Sequence, residues 1–178
     1  MNLPNRLTVA RIIAVPVFMV FELIPAGRWH LMAALIVFML ASMTDLVDGK
    51  LARANNQVTD FGKFMDPIAD KLLVTAALVG LVQLGLCNAW IAMLVVAREF
   101  LVTSLRLMAA GREVIAANIW GKAKTVSQMV AIVVTLLFAA LGLTPVVGLI
   151  LLWVSVVFTV VSGVQYVWVY REYIRTAK

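Results

Sequence analysis

Apolar residues run along the chain in six long stretches, near 9–25, 31–49, 66–86, 89–110, 122–143 and 146–170. Each is close to the ~20 residues that a helix needs to cross the hydrocarbon of a bilayer. Turn-forming or polar residues divide them: Pro25-Ala26-Gly27, Asn55-Asn56, Leu86-Cys87-Asn88, Gly111-Arg112 and Leu143-Thr144-Pro145. The pattern predicts an all-α integral membrane protein of six transmembrane helices, forming a single domain over residues 1–178. Residues 1–10 mix apolar and polar side chains and are expected to form a short helix in the membrane interface. The first apolar stretch follows Arg6 and Arg11, as in a signal peptide; with five more stretches behind it, it reads as a retained helix.

Composition supports the membrane reading. The chain is 63% hydrophobic, against about 45–50% for soluble domains, and its mean hydropathy is +1.01. Only one Cys (Cys87) and one His (His30) are present. That excludes a disulfide framework, a thiolate or imidazole zinc site and most His-based catalysis. Cys87 reads as a small apolar filler, and His30 as a surface residue near the outer interface. Trp29, Trp90, Tyr166, Trp168, Tyr170 and Tyr173 read as interfacial aromatics.

The net charge is +6, and its distribution is uneven. Arg6, Arg11, Lys50, Arg53, Lys63, Lys71, Arg106, Arg112, Lys122, Lys124, Arg171, Arg175 and Lys178 fall on or near one side of the predicted topology. Arg28 is the only basic residue in a loop on the other side. The positive-inside rule therefore places both termini in the cytoplasm. The charge points to a membrane face and anionic ligands rather than nucleic acid, for which no aromatic-and-basic stretch is present.

All five Asp residues lie between positions 45 and 70. A second helix that continues through Arg53 puts Asp45 and Asp48, at i and i+3, on one face. Asp66 and Asp70, at i and i+4, share a face at the start of the third helix. Pro67 in its first turn would make Asp66 the N-cap. Antiparallel packing then collects both pairs at the cytoplasmic ends of two neighbouring helices. Four close carboxylates repel one another, and divalent cations resolve the repulsion. An all-oxygen set suits Mg²⁺ or Mn²⁺, and two ions about 3.5–4 Å apart would clamp a phosphoryl group. Asp60 is assigned to the polar turn Ala54–Asp60. Gly49, Ala52 and Gly62 either admit a pyrophosphate to the helix backbones or allow close helix packing. Lys63 and Lys71 are expected to balance the Asp cluster or meet lipid headgroups. Arg98 and Glu99, inside the fourth stretch, are expected to take separate partners.

The series Asp45-x2-Asp48-Gly49-x2-Ala52-Arg53-x8-Gly62-x3-Asp66-x3-Asp70 resembles the full signature of the CDP-alcohol phosphotransferases. Asn2–Arg11, Ala97-Arg98-Glu99-Phe100 with Ser104-Leu105-Arg106, and Gly121–Thr125 resemble the bacterial members that use sn-glycerol 3-phosphate. The resemblance implies the six-helix fold of that family, a homodimer and a place in the bacterial inner membrane with a cytoplasmic active site. It implies transfer of the phosphatidyl group of CDP-diacylglycerol to sn-glycerol 3-phosphate, releasing CMP. Asp45, Asp48, Asp66 and Asp70 would hold the metal, with Asp66 and Asp70 catalytic. Thr44, Gly49, Ala52, Arg53, Gly62, Asn5 and Thr8 would bind the CDP-lipid, with Arg11 near the same cavity or anchoring at the interface. Arg106, Arg112, Lys122 and Lys124 would bind the acceptor phosphate. Two alternatives stand beside this reading. One is another member of the family, of the cardiolipin or phosphatidylserine synthase type. The other is a cation transporter, disfavoured because Leu31–Leu40 and Leu72–Val82 carry almost no polar residue to continue a pathway.

Overall fold

The structure, a computed structural model, describes residues 3–25, 27–54, 60–108 and 119–176; for 3–4, 45–54, 60–64, 66, 107 and 172–176 it describes the backbone alone. Six helices follow in order: α1 Leu3–Leu23, α2 Trp29–Ala54, α3 Asp60–Gln83, α4 Ala89–Met108, α5 Ile119–Leu141 and α6 Val146–Thr176. Short connections make successive helices antiparallel. Helix contacts close into a ring in the order α1, α2, α5, α6, α4, α3, with α2–α3 and α3–α5 touching across it.

The six apolar stretches each form a helix, and two boundaries differ from expectation. Residues 3–10 are not a separate interfacial helix; they are the first turns of a continuous α1. Their buried positions explain this. Asn5, Thr8, Arg11, Val15, Phe18 and Glu22 recur at helical spacing and are all buried, so one unbroken stripe faces the neighbouring helices. The third helix begins at Asp60 rather than Asp66, so Asp66 is not its N-cap and Asp60 is not in a turn. Pro67 lies inside α3, where its missing N–H forfeits the single bond to the Lys63 carbonyl. One lost bond is outweighed by continuing a helix of 24 residues.

At one end of the ring the turns rely on left-handed glycines. Gly85 (φ 72°) and Gly142 (φ 69°) end α3 and α5. In each turn an amide reaches back to a carbonyl of the last helical turn: Leu86 N to Leu81 O at 2.9 Å, Leu143 N to Phe138 O at 2.8 Å. The Arg28 guanidinium packs against Gly142, where any Cβ would collide with it. Asn88 caps α4, its Oδ1 accepting from Trp90 N at 2.9 Å. At the first turn His30 Nδ1 lies 2.9 Å from Phe21 O. Cys87 is buried as expected, and burial pushes its thiol up to about 11, far from a reactive thiolate.

The surface is apolar and parts of the interior are polar, an inversion that suits lipid as solvent. On α6, Val157, Val160, Val161 and Val164 are exposed, while Ser155, Thr159 and Ser162 are fully buried. Ser155 and Thr159 each donate back to a carbonyl of their own helix, at 2.7 Å, so they add no unsatisfied donor to the interior. Residues 119–141 and 146–171 form helices long and apolar enough to cross a bilayer. Together with this inverted surface they mark a membrane protein. Trp29, Trp90 and Trp168 are among its exposed aromatics, in keeping with an interfacial belt. The interior is otherwise apolar, centred on Phe18 and Phe38 with ring centroids 5.8 Å apart, and on Leu73, Leu81, Ile132 and Leu136. Glu22, fully buried and with no hydrogen-bond partner among the described residues, lies against Gly80 in the space a side chain there would take.

The tightest approach between α5 and α6 is at Gly148, where a Cβ would sit 2.9 Å from the Thr135 Cα. Backbone cannot yield as a side chain does. Gly148→Ala is expected to destabilise the protein by about 1–3 kcal/mol, read as a lower melting temperature in detergent. Gly121→Ala, whose Cβ would meet nothing nearer than 3.9 Å, should leave that temperature unchanged or raise it.

Candidate active site

The antiparallel order brings the start of α3, the end of α4, the start of α5 and the end of α6 to one end of the ring. A cavity of about 560 Å³ opens between these four helices. Asp70 and Lys71 of α3, Arg98, Glu99 and Arg106 of α4, and Lys122 and Lys124 of α5 all line it. Five cations against two carboxylates make a pocket for an anion. Asp70, Arg106, Lys122 and Lys124, singled out in the sequence from three separate stretches, thus share one space.

The polar groups are held by one another. The Lys124 ammonium, almost fully buried, donates to Glu99 Oε1. Arg98 Nη1 lies 3.3 Å from the same oxygen. Arg98 Nη2 donates to Ser162 Oγ at 2.5 Å, and Lys71 donates to the Thr103 hydroxyl. The expectation of separate partners for Arg98 and Glu99 holds, with one addition: each has a partner of its own, Ser162 and Lys124, and they also pair with each other. Long side chains reach where adjacent helix positions diverge. Lys71 serves the cavity wall rather than a lipid headgroup.

Tyr166 and Tyr170 are not interfacial aromatics. They are 4% and 3% exposed, and their rings stack with centroids 6.1 Å apart. The Tyr166 hydroxyl accepts from Arg106 Nη2 at 2.5 Å. Its ring lies 5.1 Å from the Arg106 guanidinium carbon and 5.7 Å from that of Arg98, within cation–π range of both. Gly121 faces the Tyr166 hydroxyl, 4.0 Å from where a Cβ would be. A signal for Tyr166 does exist in the sequence. Ser155, Thr159, Ser162, Tyr166 and Tyr170 recur every three or four residues and form one buried stripe along α6. Glu99 is visible in the sequence as a charge inside an apolar stretch, and its partner is not, because Lys124 arrives from another helix.

Among the described residues, none of the remaining sequence candidates lines this cavity. Asp45, Asp48, Gly49, Ala52 and Arg53 belong to α2, and Gly62 and Asp66 to α3, by their backbone; their side chains are outside the described residues, as is Arg112 altogether. The α2 helix does continue past Arg53, which keeps Asp45 and Asp48 one helical turn apart. Thr44 donates its hydroxyl to Ala41 O at 2.7 Å. Asn5, Thr8 and Arg11 are buried on α1, which packs against α2 and α3. Burial rather than interfacial anchoring therefore describes Arg11.

The candidate donor set is chemically consistent with a hard divalent ion. Asp45, Asp48, Asp66 and Asp70 offer oxygen only, from two helices in contact. His30 is at the opposite end of α2 from Asp45, roughly 22 Å away along the axis, so no imidazole competes. Among the described side chains, which of these four include only Asp70, no three His, Cys, Asp or Glu gather.

Comparison with known proteins agrees with this chemistry. Residues 1–161 match the family model for CDP-alcohol phosphatidyltransferase. A Bacillus subtilis protein named CDP-diacylglycerol–glycerol-3-phosphate 3-phosphatidyltransferase is 47% identical over 188 residues, 93% of each chain. A Mycobacterium tuberculosis protein named probable phosphatidylglycerophosphate synthase is 41% identical over 169 residues, 93% of this chain and 80% of its own. A Rickettsia bellii protein with the same name as that from Bacillus is 38% identical over 176 residues, 97% of each. The family match covers α1 through α5 and the first half of α6, and ends before Ser162 and Tyr166. The chain belongs to the CDP-alcohol phosphatidyltransferase family of transferases.

Proposed function

We propose that the protein transfers the phosphatidyl group of CDP-diacylglycerol to sn-glycerol 3-phosphate, giving phosphatidylglycerophosphate and CMP. The observation that carries this reading is the shared cavity of Asp70, Arg106, Lys122 and Lys124. A carboxylate able to take a proton stands there beside cations suited to a phosphate. The names and high coverage of the relatives support the same acceptor.

In this reading the acceptor's phosphate binds Arg106 and Lys122 at the mouth of the cavity. Tyr166 holds the Arg106 guanidinium in place from behind. The terminal hydroxyl of the acceptor attacks the phosphorus that bears diacylglycerol. Its proton passes to Asp70, a new P–O bond forms and the bond to CMP breaks. Glu99, itself held by Arg98, fixes Lys124 deep in the wall, where its charge reaches Asp70 as well. Asn5, Thr8, Thr44, Gly49, Ala52, Arg53 and Gly62 border the CDP end, and Arg112 joins the acceptor cations.

Dependence on divalent metal is general for this family. Asp45, Asp48, Asp66 and Asp70 would hold two ions, Mg²⁺ or Mn²⁺, which when bound supply neutralisation of pyrophosphate charge. The protein crosses the bacterial inner membrane with all six helices. Both termini and the cavity face the cytoplasm, as the basic residues gathered there favour, and two copies associate as a homodimer. Phosphatidylserine or cardiolipin synthesis would need a different acceptor in the same site.

Purified protein in detergent, given CDP-diacylglycerol and sn-glycerol 3-phosphate, should release CMP and form phosphatidylglycerophosphate. EDTA should abolish release, and Mg²⁺ or Mn²⁺ should restore it. Turnover with serine or phosphatidylglycerol in place of glycerol 3-phosphate would overturn the acceptor assignment. Asp70→Asn should lower kcat by about 10²–10⁴-fold without loss of the folded protein, measured by CMP release and melting temperature. Tyr166→Phe should raise the KM for glycerol 3-phosphate several-fold, because Arg106 loses one hydrogen bond, and should leave the KM for CDP-diacylglycerol unchanged.

A further inference from the structure

Glu99 is one of two carboxylates in a wall otherwise lined by cations, and unlike Asp70 it has no part in the transfer proposed above. Its two oxygens differ in use. Oε1 receives both the Lys124 ammonium and Arg98 Nη1. Oε2 has no partner among the described residues, in a side chain that lines the cavity and is 19% exposed. The two cations therefore fix the carboxylate by one oxygen and leave the other presented to the cavity.

The hold is firm because it comes from three helices. Arg98 belongs to α4 and is anchored on Ser162 of α6. Lys124 belongs to α5. Gly163 lets the stem of Arg98 pass between α4 and α6, since a Cβ there would come within 3.2 Å of the Arg98 Cγ. Arg98 also lines a second, mostly apolar groove on the outer side of the same seam, so its stem lies among apolar side chains and its head among polar ones.

An ionised carboxylate only accepts hydrogen bonds, and it repels a phosphate. What Oε2 can take from an acceptor in this cavity is an O–H. The phosphate of glycerol 3-phosphate must then sit away from Glu99, on Arg106 and Lys122. Arg106 is seven residues beyond Glu99 on α4, roughly 10 Å along the helix. The acceptor carries two hydroxyls: one attacks, with Asp70 taking its proton, and the other, on the middle carbon, has no role in the transfer.

We infer that Glu99 reads that second hydroxyl: its Oε2 accepts a hydrogen bond from the middle carbon's O–H, making Glu99 a specificity-determining residue for three-carbon polyol phosphates. The inference rests on the acceptor assignment above. A site built to bond a hydroxyl strongly disfavours the analogue that lacks it, because the carboxylate oxygen is then left without a partner.

The test compares sn-glycerol 3-phosphate with 3-hydroxypropyl phosphate, which keeps the phosphate and the attacking hydroxyl and lacks the middle one. The wild-type protein should prefer glycerol 3-phosphate by about a hundredfold in kcat/KM, the worth of one hydrogen bond to a charged group. Glu99→Ala should bring that preference below about threefold, and Glu99→Gln, which keeps the side chain's shape, to about tenfold or less. Lys124→Gln should slow both acceptors and keep most of the preference. Equal slowing of both acceptors in Glu99→Ala and Glu99→Gln, with the preference intact, would mean that Glu99 only balances Lys124 and would overturn the inference. Wild-type turnover of the two acceptors at equal efficiency would overturn it alone. Turnover of neither would overturn the acceptor assignment and this inference with it.

Discussion

A carboxylate and an ammonium drawn into an apolar helix bundle must meet or be left at great cost, and Glu99 and Lys124 meet across the cavity. The helices that carry them, α4 and α5, have no close backbone approach among the described residues. The ion pair therefore ties together two walls that packing alone does not join. Arg98 fastens the same carboxylate to α6 through Ser162, and Lys71 fastens α3 to α4 through Thr103. The site keeps its shape through charge and hydrogen bonding, while the surrounding ring is held by apolar contact. Removing either partner leaves a charge in the wall of the cavity, so site and fold are coupled at this point.

The fold was legible because each helix is written as one long apolar run, and runs of that length have few alternatives. What misled at the boundaries was chemistry that is locally ambiguous. Pro67 suits a first turn, and also survives within a helix whose other bonds are intact. The polar residues before Val9 look interfacial until Asn5, Thr8 and Arg11 are seen on the same buried stripe as Phe18. Likewise the tyrosines near the end of α6 resemble a membrane belt by composition. Only their phase with Ser155, Thr159 and Ser162 separates them from exposed Trp168.

The candidate site divides along the same line. Acidic residues at fixed offsets announce themselves in sequence, because the chemistry proposed for them needs that residue type at that spacing. Cations at helix ends are legible as positions and illegible as partners: the sequence places Lys124 near a phosphate, and the structure gives it first to Glu99. Tyr166 is a support of the same kind. It touches Arg106 by hydrogen bond and ring face together, a contact made between α4 and α6 that neither segment encodes by itself.

The turn after α1 meets the turn after α5 where Arg28 fills the space left open by Gly142. That clasp lies at the end of the bundle remote from the charged cavity. The bundle is thus clasped at both ends by different means, by shape at this turn and by charge and hydrogen bonds at the cavity. A bulkier residue at position 142 would displace Arg28 and strain the turn, undoing the first of these and leaving the second in place.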